Sequence, residues 1–253
     1  MKLNYKKVGQ GKPLIILHGL FGSADNWLSV AKELEEDYTM YLLDQRNHGD
    51  SPKSDEWSYK GMVDDLAAFM TSQGLEAAYI MGHSMGGKTA MNFALKHPNK
   101  VQKLIIADIA PRYYPPHHQN ILAGLNAIDM ESLKSRKEAD ETLAEHIPEA
   151  GVRQFLMKSL GRDENRKFVW KINLPVITEK IENVGEGIDS DKAYDGPTLF
   201  MRGANSDYIQ DKDKEDLEKY FPEHKLITIK NAGHWLHAEQ PGAVVETVKA
   251  FLG

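Results

Sequence analysis

The sequence predicts an α/β protein with a mostly parallel central sheet flanked by helices and an inserted helical cap. Three observations carry this expectation: short apolar runs recur along the chain, segments of helical spacing separate them, and the alternation stops between about Pro111 and Gly196. The runs at 13–17, 39–43, 78–81, 103–107, 198–201 and 226–229 are continuous aliphatic and β-branched stretches. Such runs read as strands buried on both faces, as parallel sheets require. Between them, Met62, Leu66, Phe69 and Met70 share a helical face, and the stretch 85–97 keeps helical character until Pro98 stops it. Strands alternating with helices imply crossovers packed on both sides of one sheet.

Within 111–196 the helical patterns stand alone. Ile121, Leu125 and Ile128 share one face, and Ser135 and Glu138 have capping-box spacing ahead of Ala139, Leu143 and Ile147. Val152, Phe155, Leu156 and Leu160 continue the pattern to Gly161. Ordinary crossovers of a longer sheet would need strands between these helices, and the stretch offers hardly any. The expected organisation is therefore a core of 1–110 and 197–253, interrupted by a cap at 111–196.

Composition narrows the function. The chain has 253 residues, 41% hydrophobic and 27% charged, with a formal net charge of −6 and a pI near 5.9. Mild acidity gives no electrostatic reason to expect a nucleic-acid or anionic-membrane partner. The apolar run at 14–17 is far shorter than a signal-peptide core, and no run approaches a bilayer span, so a cytoplasmic chain is expected. Cysteine is absent, which removes disulfides, thiolate metal sites and a cysteine nucleophile, and makes serine the first candidate for nucleophilic chemistry.

Gly82-His83-Ser84-Met85-Gly86 follows the 78–81 strand and opens a helix. A serine on a sharp strand-to-helix turn needs small neighbours, and Gly82, Gly86 and Gly87 supply the room. The free N–H groups of the helix start favour an oxyanion. A plain helix N-cap in a glycine-rich turn is the bland alternative. After the first buried strand, His18-Gly19-Leu20-Phe21-Gly22 forms a second glycine-rich turn able to aim an N–H at a reacting carbonyl oxygen. Leu20 and Met85 are the expected oxyanion donors, with Phe21 the alternative to Leu20.

Among ten histidines, His234 follows the 226–229 strand and so reaches the same sheet edge as Ser84, as a general base must. His237 gives an H-x-x-H spacing without a third ligand, so neither a metal nor a cofactor is expected, and a surface or capping role is assigned to it and to His117-His118. Two aspartates suit the triad acid: Asp108 at the end of the 103–107 strand, and Asp207 beyond the 198–201 strand. The spacing alone leaves both open.

These residues make the whole chain resemble the α/β-hydrolase-fold serine esterases, and within them the YbfF-type bacterial esterases. The resemblance rests on Asp44-Gln45-Arg46-Asn47-His48-Gly49 (most relatives carry Gly in place of Asn47), on the elbow through Lys88, on Asp108-Ile109-Ala110-Pro111, and on Gly233-His234-Trp235-Leu236-His237-Ala238-Glu239. In most such hydrolases a G-x-x-D turn carries the acid, but counting from Gly203 puts Ser206 in that slot and Asp207 one residue late. The YbfF-type pattern implies an acid at Asp108 and a serine at Ser206 hydrogen-bonded to the histidine. Asp108 is therefore favoured, while Asp207 keeps the usual arrangement open.

The expected activity is a serine carboxylesterase acting on small to medium acyl esters through an acyl-enzyme. The same triad permits an acyl-CoA thioesterase, and ligand-binding members of the fold form a third class. Ser84 argues against dehalogenases and epoxide hydrolases, which need an aspartate nucleophile. Arg162, Arg166, Lys167 and Lys171 could meet CoA phosphates, but interleaved Asp163 and Glu164 make a solvated helix face the expectation. Phe21, Phe155, Trp170, Ile172 and Trp235 are apolar candidates for core or pocket wall. Oligomeric state is not legible.

Overall fold

The computed structural model describes residues 1–253. In chain order, β1 (Tyr5–Val8) and β2 (Lys12–Leu17) are followed by α1 (Leu28–Leu34), β3 (Tyr38–Leu43), α2 (Tyr59–Ser72), β4 (Ala78–His83), α3 (Met85–Lys96) and β5 (Val101–Ala107). The intervening segment contains α4 (Gln119–Ala127), α5 (Arg136–Ala144), α6 (Ala150–Met157), a hairpin of β6 (Leu160–Arg162) and β7 (Phe168–Trp170), and α7 (Leu174–Glu179). The chain then returns through β8 (Thr198–Gly203), α8 (Lys214–Tyr220), β9 (His224–Ile229), α9 (Leu236–Glu239) and α10 (Pro241–Leu252).

The seven-stranded sheet has the order β1-β3-β2-β4-β5-β8-β9, parallel except for β1. The runs of β2–β5 and β8 are continuous because alternate residues enter different cores, whereas β9 closes the edge of the sheet and leaves Leu226 and Ile227 exposed, not buried on both faces as their run predicts. Ile15, Leu17, Ile80 and Ile106 pack with Leu66 and Phe93 on one face. Leu14, Ile16, Met81 and Ile105 pack with Val30, Leu34 and Val248 on the other. No helix is long and apolar enough to cross a membrane.

Two further elements depart from the sequence reading. Strand β1 carries Lys6 and Lys7, both exposed, and gives no apolar run; its pairing with β3 makes it a strand. The pattern from Val152 to Leu160 is not one helix: α6 ends at Met157, Ser159 Oγ donates to the Leu156 carbonyl, and Leu160 enters the hairpin. The basic residues beyond it therefore lie on and around that hairpin, not on a helix face. The Arg162 guanidinium covers the Phe168 ring, Lys167 pairs with Glu131 at 2.9 Å, and Lys171 pairs with Asp50 at 2.9 Å.

The inserted segment is seated by a third apolar core. Leu20, Phe21, Trp57, Tyr59 and Met85 from the sheet side meet Leu125, Leu143, Leu156 and Ile177. Ser135 Oγ accepts the Glu138 N–H at 3.1 Å, realising the cap ahead of α5. Both ends of the segment are tied to α3 by buried Lys88, whose ammonium donates to the Arg112 carbonyl at 2.6 Å and the Glu186 carbonyl at 2.5 Å. Burial lowers the Lys88 pKa to about 7.

Candidate active site

The parallel strands deliver their following loops to one edge, where five non-glycine residues adopt positive φ: Phe21, Asn47, Ser84, Asp108 and Asn231. Ser84, at φ 52°, is the turn between β4 and α3, and its N–H donates to the Ala107 carbonyl at 3.1 Å. The turn is tight enough to dictate its neighbours. A Cβ on Gly82 would lie 2.2 Å from the Gly86 carbonyl oxygen, and one on Gly86 would lie 2.4 Å from that of Leu17. Strain at such a position aims the side chain outward, and Ser84 borders the cavity beneath the inserted helices.

His234, in the loop after β9, borders the same cavity. Its Nδ1 lies 2.8 Å from Oδ2 of Asp108. A carboxylate only accepts, so Nδ1 carries a proton and Nε2 is the nitrogen left to act as the base. Asp108 is fully buried after β5, and its Oδ1 accepts the Gly203 N–H at 2.9 Å. Ser84 Oγ is not hydrogen-bonded to His234; free enzymes often close that contact only when substrate is bound.

The two remaining acid-side expectations need correction. Ser206 Oγ donates to Oδ2 of Asp108, not to the histidine, so it serves the carboxylate. Asp207 is exposed, and the structure does not bring its side chain to His234; its backbone carbonyl accepts from Gln210 at 3.0 Å. The one-residue displacement from the G-x-x-D slot is enough to turn it toward solvent.

The glycine-rich turn after β2 distinguishes the two donors left open by the sequence. The Phe21 N–H is engaged with Nε2 of buried His48 at 3.2 Å, whereas no acceptor holds the Leu20 N–H. Met85 is the first residue of α3, so its N–H has no intrahelical acceptor. His48 fits its acceptor role because Nδ1 donates to the Arg46 carbonyl and burial lowers its pKa to about 3, leaving Nε2 unprotonated.

The cavity of about 460 Å³ is bounded by the sheet edge on one side and α4, α6 and their loops on the other. Phe21, Phe155 and Trp235 line it, but Trp170 and Ile172 belong to the buried core behind. His117 and His118 also line it, a position for which their surface or capping assignment gave no indication. His237 is 3% exposed and stacks on Trp27 at 4.3 Å, and burial lowers its pKa to about 3. His83 is likewise buried well below the usual histidine range, and its Nε2 donates to the His234 carbonyl at 2.8 Å. Sequence patterns signal the glycine turns but not these contacts between residues far apart in the chain.

A model described as alpha/beta hydrolase fold matches residues 12–127. Esterase YbfF of Escherichia coli is 36% identical over 100% of this chain and 99% of its own length. The mouse sn-1-specific diacylglycerol lipase ABHD11 is 37% identical over 94% of this chain and 80% of its own. A solved marine microorganism esterase is 47% identical, with a TM-score of 0.97 over 99% of both chains. With its parallel sheet, strained serine turn and full-length relatives, this chain belongs to the α/β-hydrolase fold family.

Proposed function

We propose that Ser84, His234 and Asp108 act as nucleophile, base and acid of an esterase, with Leu20 and Met85 as oxyanion donors. The chain is a carboxylic ester hydrolase of the α/β-hydrolase fold, and esterase relatives covering its whole length support that activity. The observation that carries the site assignment is the 2.8 Å contact between buried Asp108 and Nδ1 of His234, beside the Ser84 turn.

Nε2 of His234 takes the Ser84 proton as Oγ bonds to the ester carbonyl carbon and the carbonyl π pair moves onto oxygen. The Leu20 and Met85 N–H groups stabilise that oxyanion. Collapse expels the alcohol, which receives the proton from the imidazolium. Water then enters, the same nitrogen deprotonates it, and hydrolysis of the acyl-enzyme releases the acid and restores Ser84. Asp108 holds the tautomer throughout and stabilises the imidazolium, and Ser206 holds Asp108.

Segment 111–196 acts as a cap whose underside contacts the substrate. The predominantly apolar wall around Ile121, Val152 and Phe155 suits an acyl chain. Because vertebrate relatives are named diacylglycerol lipases, acylglycerols join simple esters as the substrate class to assay. The decisive test is Ser84→Ala with a chromogenic short-chain ester. Turnover should fall by about 10⁴- to 10⁶-fold with an unchanged circular-dichroism spectrum. Near-normal turnover in that variant refutes the assignment.

A further inference from the structure

The His234 imidazole is held in its plane by Asp108 and covered on one face by the Tyr208 ring, 3.8 Å away between centroids and 16° from parallel. The stack does not end there. Tyr114 lies on Tyr208 at 5.4 Å and 29°, and the Arg112 guanidinium lies 3.8 Å from the centre of the Tyr114 ring. Tyr114 is anchored by its hydroxyl, which accepts the Ala110 N–H at 2.9 Å and donates to the Tyr208 carbonyl. Arg112 is anchored by Asp213 at 2.7 Å. The outer end of Tyr208 is fixed too, since its hydroxyl is hydrogen-bonded to Nε2 of His117 at 3.0 Å.

We propose that Tyr208 is a positioning residue for His234, its ring face holding the imidazole in the plane set by Asp108 and stabilising the imidazolium formed during acyl transfer. The proposal rests on the Ser84–His234 reading above. The hydrogen bond to Asp108 constrains one ring atom but leaves the ring free to tilt about that contact. A parallel aromatic wall 3.8 Å away removes the tilt on one side. The His83 ring, 4.7 Å from that of His234 and tilted by 42°, is a looser neighbour.

The electrostatics favour the same step. An aromatic face carries negative quadrupole density, so it attracts an imidazolium more than a neutral imidazole. A contact that strengthens as the proton arrives lowers the barrier instead of merely tightening binding. The phenol itself stays protonated, because burial pushes it up to about 12. The cation at the far end, Arg112, is separated from His234 by two aromatic rings and neutralised by Asp213.

The experiment compares Tyr208→Leu, Tyr208→Phe and Ser84→Ala on one short-chain ester, with kcat and KM measured separately. Cation–π contacts of this kind predict about a three- to thirty-fold loss of kcat in Tyr208→Leu with KM nearly unchanged. Tyr208→Phe keeps the ring and should recover most of that loss. If thermal melting shows that the leucine variant does not fold, Tyr208→Met takes its place, since a flexible side chain fills the space without an aromatic face. Wild-type kcat in the leucine or methionine variant, or an equal loss in Tyr208→Phe, overturns the proposal while an inactive Ser84→Ala leaves the triad reading standing. Turnover retained by Ser84→Ala overturns both.

Discussion

The C-terminal sheet edge and the helical segment above it face each other across one cavity and hold their side chains by different means. At the sheet edge, Ser84 and Asp108 sit on strained backbone whose amides are bonded into neighbouring strands: Ser84 N–H to Ala107, Asp108 N–H to Met201 at 2.8 Å. In the inserted segment, cavity-lining Ile121, Val152 and Phe155 stand on short amphipathic helices, only partly buried. The edge fixes atoms to the precision that proton transfer needs, while the segment supplies volume and apolar surface. Substitutions at the edge should therefore act on chemistry, and substitutions in the segment on substrate choice.

The strongest way to break this contrast is at the acid. Asp108→Asn keeps the shape but lets the side chain donate where His234 needs an acceptor, so kcat should fall by about 10⁴-fold. Asp207→Asn, on exposed Asp207, should change kcat less than twofold, about the scatter of a surface substitution. Steady-state kinetics of the two variants decide the matter. An inactive Asp207 variant beside an active Asp108 variant would mean that the loop after β8 rearranges to deliver the acid.

This pair of aspartates also marks how far the sequence could be read. Six apolar runs, the serine turn and the late histidine were legible because each is a local pattern: continuous hydrophobicity, glycine spacing, a residue after a strand. Ser206's true partner was not, because the bond to Asp108 joins residues 98 positions apart. The choice between the Leu20 and Phe21 amides likewise depended on His48, and the Tyr208 stack on a face-to-face approach that no one-dimensional spacing encodes. β1 was missed because antiparallel pairing, not its own composition, makes it a strand. The hairpin of β6 and β7 was missed because its apolar residues continue the spacing of the helix before it.

A substitution in the segment sharpens the other half of the contrast. Phe155 and Trp235, with ring centroids 5.6 Å apart, stand in the wall between the cavity and a second recess of about 460 Å³ that also borders Lys158 and Gln154. Phe155→Ala should join the two volumes. Each methylene newly buried contributes about 0.8 kcal/mol, so the ratio of kcat/KM for a dodecanoyl ester to that for a butyryl ester should rise about tenfold or more. Turnover of the short ester should stay close to wild type, because the contacts among Ser84, His234 and Asp108 do not include this side chain. An unchanged ratio would show that Phe155 does not limit acyl length.

The remaining effect concerns stability in acid, and it again separates the regions. His18, His48, His83 and His237 are all buried beneath the sheet edge with pKa values lowered by burial, while the segment contributes His118, lowered to about 4 by the same cause. A histidine buried neutral binds fewer protons folded than unfolded, so its contribution is complete above the unfolded value of about 6.5 and drains away as pH falls. For His48 and His237 the loss runs from about 6.5 down to about 3, with a limiting slope of about 1.4 kcal/mol per pH unit for each. The melting temperature should therefore drop steadily between pH 6.5 and 4. His237→Phe, which preserves the stack on Trp27 and removes the titrating nitrogen left without a partner, should flatten that slope by about one group's share. Melting curves at half-unit pH steps check this: an identical slope in wild type and His237→Phe would show that His237 takes up its proton without opening the sheet edge.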